Sequence, residues 1–109
     1  MYEYRAYVRK VYDGDTVTVD IDLGFNIILH KQKIRLLKIN APEVRGEQRE
    51  KGLKSRDALR EKVGSKWVTL KTQKDKKGKF GRWLGELWIE DLSVNDWLLS
   101  EGWAQEYKG

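Results

Sequence analysis

The sequence predicts a small α+β protein built on a five-stranded OB-type β-barrel. Two alternating apolar and polar stretches and a third, β-branched stretch occupy most of the first 39 residues. A segment with helical spacing follows them, and two further short strands precede a second short helix. Five short strands with a helix between the third and the fourth are typical of this barrel, whose faces and loops commonly bind oligonucleotides. At 109 residues, we expect residues 1–109 to form a single domain.

The first two strands are predicted from period-2 alternation, and the third from its length and β-branched residues. Residues 2–12 alternate apolar with charged side chains, and an Asp-Gly-Asp turn at residues 13–15 leads into a second alternating stretch at residues 16–23. Residues 23–26 turn the chain again, and residues 27–39 are long and β-branched enough to form a third strand. Three consecutive strands of this kind form a meander.

Pro42 ends the strand pattern, because proline cannot donate to a β-ladder and restrains the residue before it. We expect a surface loop over residues 40–46. A helix is predicted over residues 48–63, where leucine and valine recur at near-helical spacing and Gly64 follows to end it. Gly52 weakens the first turn of this helix.

The C-terminal half predicts the remaining elements. Residues 67–70 and 83–89 have strand character and are separated by a basic loop at residues 74–81. Ser93, with an acidic residue three positions later, resembles a capping box for a short helix over residues 94–101.

The composition limits the function. A net charge of +5, from 22 Lys and Arg against 17 Asp and Glu, favours a polyanionic partner such as nucleic acid. The absence of cysteine excludes disulfides and thiolate zinc sites. With His30 as the single histidine, acid-base chemistry must use carboxylates, arginine or metal-bound water.

The chain contains neither the apolar core of a signal peptide nor a run of roughly 18 apolar residues that would cross a membrane. We therefore expect a soluble, cytoplasmic protein with no membrane partner. A secreted protein trimmed of its leader would have the same sequence.

Two aspartates around one glycine are the first candidate site. Asp-Gly by itself is a strong hairpin signal, so turn formation alone explains one carboxylate. Asp13 and Asp15 cannot both be needed for the turn, and two clustered oxygen ligands suit a hard cation such as calcium.

Three further charged residues have two interpretations each. Arg35 interrupts an apolar strand and is either paired with a carboxylate or water at the strand end, or aimed at a phosphate. Glu43 follows Pro42 in the loop and is either solvated or a rigidly held carboxylate. Arg82 precedes the fifth strand and is either one more exposed cation or part of the same site.

Together these residues resemble one family. The stretches DGDT, RLLKINAPE and KFGRWLGELW are similar to the motifs DGDT, R-L-x-x-x-D-[TA]-P-E and Y-G-R of the staphylococcal (micrococcal) nuclease-like family, whose best-known members are thermonucleases. The three motifs occur in the family's order and at its intervals, and the resemblance runs from about Tyr4 to Tyr107.

The resemblance implies a calcium site and a phosphate site. Asp15, the side chain of Asn40 and the backbone carbonyl of Ala41 would bind Ca²⁺, with Asp13 lying just behind them. Glu43 would orient or deprotonate the attacking water, and Arg35 and Arg82 would bracket the scissile phosphate. The chemistry is consistent, because phosphodiester attack builds negative charge that a cation and two guanidinium groups neutralise.

The chain departs from the family in three places. Asn40 replaces an aspartate, which removes one negative charge and predicts weaker calcium binding. Phe80 replaces a pocket tyrosine and keeps a stacking face without the hydroxyl, while Tyr107 is the counterpart of another pocket tyrosine. The sequence ends at Gly109, before the C-terminal helix of the best-known member. Residues that would contact nucleic acid are Lys76, Lys77, Lys79, Phe80 and Tyr107.

Two functions remain open from the sequence. The first is a calcium-dependent endonuclease that cleaves DNA and RNA with little sequence specificity, preferring single strands, because it reads phosphate and a stacked base. The second is a non-catalytic nucleic-acid-binding OB module, favoured only if Asn40 abolishes metal binding. A methyl-arginine reader would need an aromatic cage, of which the sequence gives no sign.

Overall fold

The computed structural model of the chain describes residues 2–77 and 81–107. Its strands are β1 Tyr2–Asp13, β2 Thr16–Gly24, β3 Ile27–Leu36, β4 Ile39–Asn40, β5 Trp67–Lys77, β6 Trp83–Ile89, β7 Leu92–Ser93 and β8 Gln105–Glu106. Its helices are a short 3-10 helix Gly46–Gln48, α1 Arg49–Val63 and α2 Val94–Ser100.

Five long strands close into a barrel. The sheet order is β3-β2-β1-β5-β6-β7, and β3 also pairs in parallel with β6, which joins the two ends of the sheet. The neighbours β1–β2, β2–β3, β1–β5 and β5–β6 are antiparallel. The predicted α+β OB-type barrel, with α1 between the third and fourth long strands and α2 after the fifth, is confirmed.

The barrel interior is filled by the apolar half of each alternating strand. Val8 pairs with Val19 across β1 and β2, and both are fully buried beside Ile34 of β3. Leu59 and Val63, on one side of α1, are also fully buried and join this core as α1 packs on β1. The period-2 and near-helical patterns therefore identified the core-facing sides correctly.

The predicted third strand is too long. It ends at Leu36, and Leu37-Lys38 form a turn in which Lys38 has a positive φ of 67°. The chain then re-enters a separate two-stranded sheet, in which β4 pairs with β8. Neither the turn nor β8 was predicted, because residues 34–39 contain no typical turn residue and the partners of Ile39 and Asn40 lie 67 and 65 residues further along the chain.

The predicted fourth strand is too short. β5 continues to Lys77, so Lys76 and Lys77 lie within a strand rather than in the expected basic loop. Backbone pairing continues to Thr72 with β1 and resumes at Lys77, which pairs with Trp83 of β6, and such pairing requires no apolar side chains. Lys79 and Phe80 lie outside the described residues.

The two helix predictions are confirmed to within one residue at each end. Gly64 follows α1 as its C-cap. The Ser93 hydroxyl accepts a hydrogen bond of 3.2 Å from the Asp96 backbone N–H and so caps α2. In the described part of the chain, neither helix has the length and apolarity that crossing a bilayer demands.

Candidate active site

Asp15 lies at the centre of the site and is buried, with 6% of its surface exposed. Its backbone is fixed on two sides, since its N–H donates to Asp13 Oδ1 at 3.0 Å and its carbonyl accepts from the Leu36 N–H at 2.8 Å. The Thr16 hydroxyl donates to Asp15 Oδ1 at 3.1 Å. The turn therefore holds one carboxylate in a defined orientation at the end of β3.

The loop after β4 meets this carboxylate directly. The Ala41 backbone N–H donates to Asp15 Oδ2 at 2.8 Å, which ties the start of the loop to the β1–β2 turn. Gly14 permits this approach, because a Cβ there would lie 2.7 Å from Ala41 Cβ and 2.9 Å from Ser55 Cβ. A glycine is thus required at this position for packing, whereas the backbone φ of Gly14 is not positive and would accept other residues.

Arg35 is held at the same place by backbone carbonyls. Its Nη1 donates to the carbonyls of Leu36 and Ile39 at 2.8 and 2.9 Å. This fixes the guanidinium so that Nη2 lies 3.5 Å from Asp15 Oδ2 and donates to Asn40 Oδ1 at 3.3 Å. The structure therefore brings together an arginine, a carboxylate and an amide oxygen that the sequence separates by up to 25 positions.

Tyr107 reaches the site from the C-terminal end of the described chain. Its backbone N–H donates to the Lys38 carbonyl at 2.8 Å, and the Arg35 guanidinium carbon lies 5.6 Å from the centre of its ring. This is a cation–π distance, and half of Tyr107 is exposed. The ring is thus positioned beside Arg35 and open to a ligand.

Glu43 is exposed, but its backbone is fixed. Its N–H donates to Gln48 Oε1 at 3.4 Å, and its carbonyl packs against Gly52 of α1 so closely that a Cβ at Gly52 would overlap it. The glycine that weakens the helix in the sequence is therefore a contact surface for the Glu43 loop. The side chain is left accessible on a rigid backbone.

Asp13 lies beside Asp15 and has a raised pKa. Burial, together with the neighbouring Asp15 carboxyl, raises the pKa of Asp13 from 3.8 to about 7. A cation bound at the turn would counter this effect, because positive charge favours the ionised carboxylate.

The donor groups fit a hard cation in their chemistry. Asp15 and Asn40 offer a carboxylate and an amide oxygen, which are ligands that Ca²⁺ accepts. Among residues 2–77 and 81–107, however, no three His, Cys, Asp or Glu side chains converge as a metal cluster. The Arg35 guanidinium lies against both oxygens, so it supplies the positive charge between them in this structure.

Arg82 lies at the start of β6. Arg82 directly precedes Trp83, which pairs with Ile34 in the parallel β3–β6 ladder, and the next pair in this ladder is Arg35 with Leu84. Arg82 is half-buried. The β3–β6 pairing therefore brings the backbone of Arg82 close to the strand that carries Arg35.

Several contacting residues were missed from the sequence. The Thr16 hydroxyl that contacts Asp15 belongs to the DGDT stretch, and its position beside the aspartate could have indicated it. Gly52 was noted only as a weak helix residue, although an isolated glycine in a helix often marks close backbone approach. Tyr12 and Arg45, which join through a hydrogen bond of 2.9 Å, carried no recognisable pattern.

The barrel and the site define a class of protein. It is a small OB-type barrel in which an acidic turn, a strand-end arginine and a proline-anchored glutamate loop meet at one edge of the sheet. The family model described as staphylococcal nuclease homologue matches residues 33–109, and the chain belongs to this family.

Two curated relatives are similar over most of the chain. The thermonucleases of Staphylococcus intermedius and Staphylococcus hyicus are each 28% identical to it over 101 residues. The match covers 90% of this chain and 56% of each thermonuclease. The chain thus spans little more than half the length of these relatives.

Proposed function

We propose that this protein is a calcium-dependent nuclease that hydrolyses the phosphodiester bonds of DNA and RNA, with single strands as the preferred substrate. The observation that carries the proposal is the orientation of Arg35. Two backbone carbonyls fix its Nη1, so that Nη2 faces the oxygens of Asp15 and Asn40. Family membership and the two thermonuclease relatives support the same activity.

In the proposed reaction, Arg35 and Arg82 bind the scissile phosphate and neutralise the charge that develops on its oxygens. A planar guanidinium is suited to this role, because it contacts two phosphate oxygens at once. Tyr107, beside Arg35, offers an exposed ring on which a base of the substrate stacks.

Glu43 orients the attacking water and accepts its proton. Its backbone is fixed by Gln48 and Gly52, which gives the carboxylate a limited range of positions. The only histidine does not compete for this role, since His30 Nδ1 lies 3.3 Å from Asp20 on the β2–β3 hairpin. A carboxylate base is therefore consistent with the composition.

Calcium would be held by Asp15, the Asn40 side chain and the Ala41 carbonyl, with Asp13 behind them. When bound, the ion supplies further positive charge for the phosphate oxygens. Arg35 would exchange its present contacts with Asp15 and Asn40 for contacts with the phosphate.

A non-catalytic nucleic-acid-binding module is the second candidate function. The specific observation in its favour is that Arg35 already balances Asp15 at 3.5 Å, with Asn40 contributing no charge. Such a site is stable without a metal ion and retains a basic surface that binds phosphate.

The test compares three proteins: wild type, Glu43→Gln and Glu47→Gln. Glu47 is an exposed glutamate in the adjacent 3-10 helix and serves as the matched control. Labelled single-stranded DNA and RNA are incubated with Ca²⁺ or with EDTA. We expect cleavage only with Ca²⁺, a loss of about 10²-fold or more in Glu43→Gln, and wild-type rates in Glu47→Gln.

Absence of cleavage at every calcium concentration, together with retained binding of the oligonucleotide, would establish the binding module instead. Equal rates in the two glutamine variants would contradict the role of Glu43 while leaving the nuclease activity itself in place.

A further inference from the structure

A second contact joins the two segments that form the candidate site. Tyr12 directly precedes Asp13, and its hydroxyl accepts a hydrogen bond of 2.9 Å from Arg45 Nη2. Residues 41–45 are thus attached at two points, to the β1–β2 turn through Ala41 and Asp15 and to the end of β1 through Arg45 and Tyr12. Glu43 lies between these two attachments.

A second arginine reaches the same part of β1 from α1. Arg60 Nη2 donates to the carbonyl of Val11, the residue before Tyr12, at 3.4 Å. The side chain of Arg60 is half exposed, and its Nη1 lies 3.8 Å from the Asp57 carboxylate, a partly solvated pair. Two guanidinium groups, from the loop and from the helix, therefore converge on adjacent residues of one strand.

The side chains at this place have no role in the core. Tyr12 is 43% exposed and Arg45 is fully on the surface, so the hydrogen bond between them buries little apolar area. The Tyr12 hydroxyl bonds one guanidinium, and a second guanidinium bonds the neighbouring backbone carbonyl of Val11. Single-stranded nucleic acid binds to surfaces that combine these elements, an exposed ring on which a base stacks and cations that contact phosphates.

We propose that Tyr12, Arg45 and Arg60, which we call the Tyr12 platform, bind a nucleotide of the substrate strand that lies outside the scissile position. The proposal rests on the proposed function for the identity of the ligand, a single-stranded polynucleotide. Because the platform adjoins Asp13 on β1 and Glu43 in the loop, a strand whose phosphate contacts Arg35 passes over it on the way out of the site.

The experiment measures binding without cleavage. Fluorescence anisotropy of a labelled oligothymidylate of eight nucleotides is recorded in EDTA at several salt concentrations. The variants are Tyr12→Ala, Tyr12→Phe and Arg45→Ala. The matched controls are Tyr2→Ala, at a tyrosine of similar exposure at the far end of β1, and Lys54→Ala, at an exposed cation of α1.

We expect Tyr12→Ala to weaken binding about tenfold, because one stacked base is lost. Tyr12→Phe keeps the ring and should stay within about threefold of wild type, since only one hydrogen bond is lost. Arg45→Ala should weaken binding and reduce the slope of log K against log salt by about 0.7, the value for one phosphate contact on a single strand. Both controls should bind as wild type.

Wild-type affinity in Tyr12→Ala and Arg45→Ala would overturn the platform. An equal loss in Tyr12→Phe and Tyr12→Ala would also overturn it, since the pair would then only fasten the loop. Thermal melts show that each variant is folded. Because binding is measured without calcium, a protein that binds through the platform but never cleaves would refute the nuclease and leave the platform standing.

Discussion

At the scale of single residues, Arg35 shows that two interpretations of one side chain are compatible, because a guanidinium that is paired with a carboxylate is also oriented for a phosphate. From the sequence, Arg35 was either paired with a carboxylate or aimed at a phosphate. The structure shows the pairing with Asp15 and also fixes the guanidinium through the carbonyls of Leu36 and Ile39. An arginine oriented in advance loses little side-chain entropy when a phosphate binds.

Asn40 is the residue that most limits the proposed calcium site. We expect Asn40→Asp to tighten calcium binding by about tenfold, because a second carboxylate replaces a neutral amide beside Asp15. Isothermal titration calorimetry with Ca²⁺ measures the change. Asn26→Asp, which adds the same charge in the exposed β2–β3 turn, should leave the affinity unchanged.

Unchanged or weaker binding in Asn40→Asp would show that the metal is misplaced in our proposal. A new carboxylate would in that case only strengthen the present contact with Arg35.

Asp13 predicts a dependence of stability on pH. Its pKa is about 7 in the folded protein, above the ordinary value of 3.8, so the folded state binds the extra proton between these values. This contribution to stability is complete below about pH 4 and is lost as the pH rises to 7. Without calcium, we therefore expect the free energy of unfolding to fall across this range.

The matched variant is Asp13→Asn, which keeps an oxygen acceptor for the Asp15 N–H. We expect it to be more stable than wild type at pH 8 by roughly 1–2 kcal/mol, a value reduced for the partial exposure of Asp13, and equally stable at pH 4. Urea unfolding in EDTA at both pH values measures this. A constant difference at the two pH values would show that Asp13 does not titrate in this range.

At the scale of secondary-structure elements, α1 supports the site through a glycine. The Glu43 carbonyl packs onto Gly52, and Ser55 one turn later donates to the Trp103 carbonyl at 2.7 Å. The helix thus contacts both the loop that carries Glu43 and the segment that leads to Tyr107. Close backbone approach, rather than helix propensity, explains a glycine at this position.

We expect Gly52→Ala to destabilise the protein by about 1–3 kcal/mol, because overlap with the Glu43 carbonyl outweighs the higher helix propensity of alanine. Thermal unfolding measures the stability. In the nuclease assay, kcat should fall at temperatures where the variant remains folded, since Glu43 is displaced. Lys54→Ala at an exposed position of the same helix should change stability by less than about 0.5 kcal/mol. A more stable Gly52→Ala variant would contradict the contact.

At the scale of the whole molecule, the charge of +5 predicts how affinity depends on salt. If the basic residues contact three or four phosphates, the slope of log K against log salt should be about −2 to −3 on single strands. Titrations of an oligonucleotide between low and physiological salt measure this slope. Affinity that does not change with ionic strength would contradict recognition through phosphates.

Local chemistry made much of the fold predictable. Alternation identified the strands that begin at Tyr2 and Thr16, and β-branched residues identified the strand that begins at Ile27. The Asp-Gly pair identified the first turn, and Ser93 identified the start of α2. These features depend on residues that are neighbours in the chain, so the sequence states them directly. The resemblance to the nuclease family also depended on short stretches, and the family match confirms it.

Contacts between residues far apart in the chain decided the features that the sequence did not predict. The sequence by itself determined the barrel, its helices and the family. Only the tertiary structure decided that β3 stops at Leu36, that β8 pairs with β4, and that Tyr107 lies over Arg35. The physical reason is that backbone and guanidinium groups in these features contact partners far along the chain. A residue's neighbours in the sequence do not indicate such a partner.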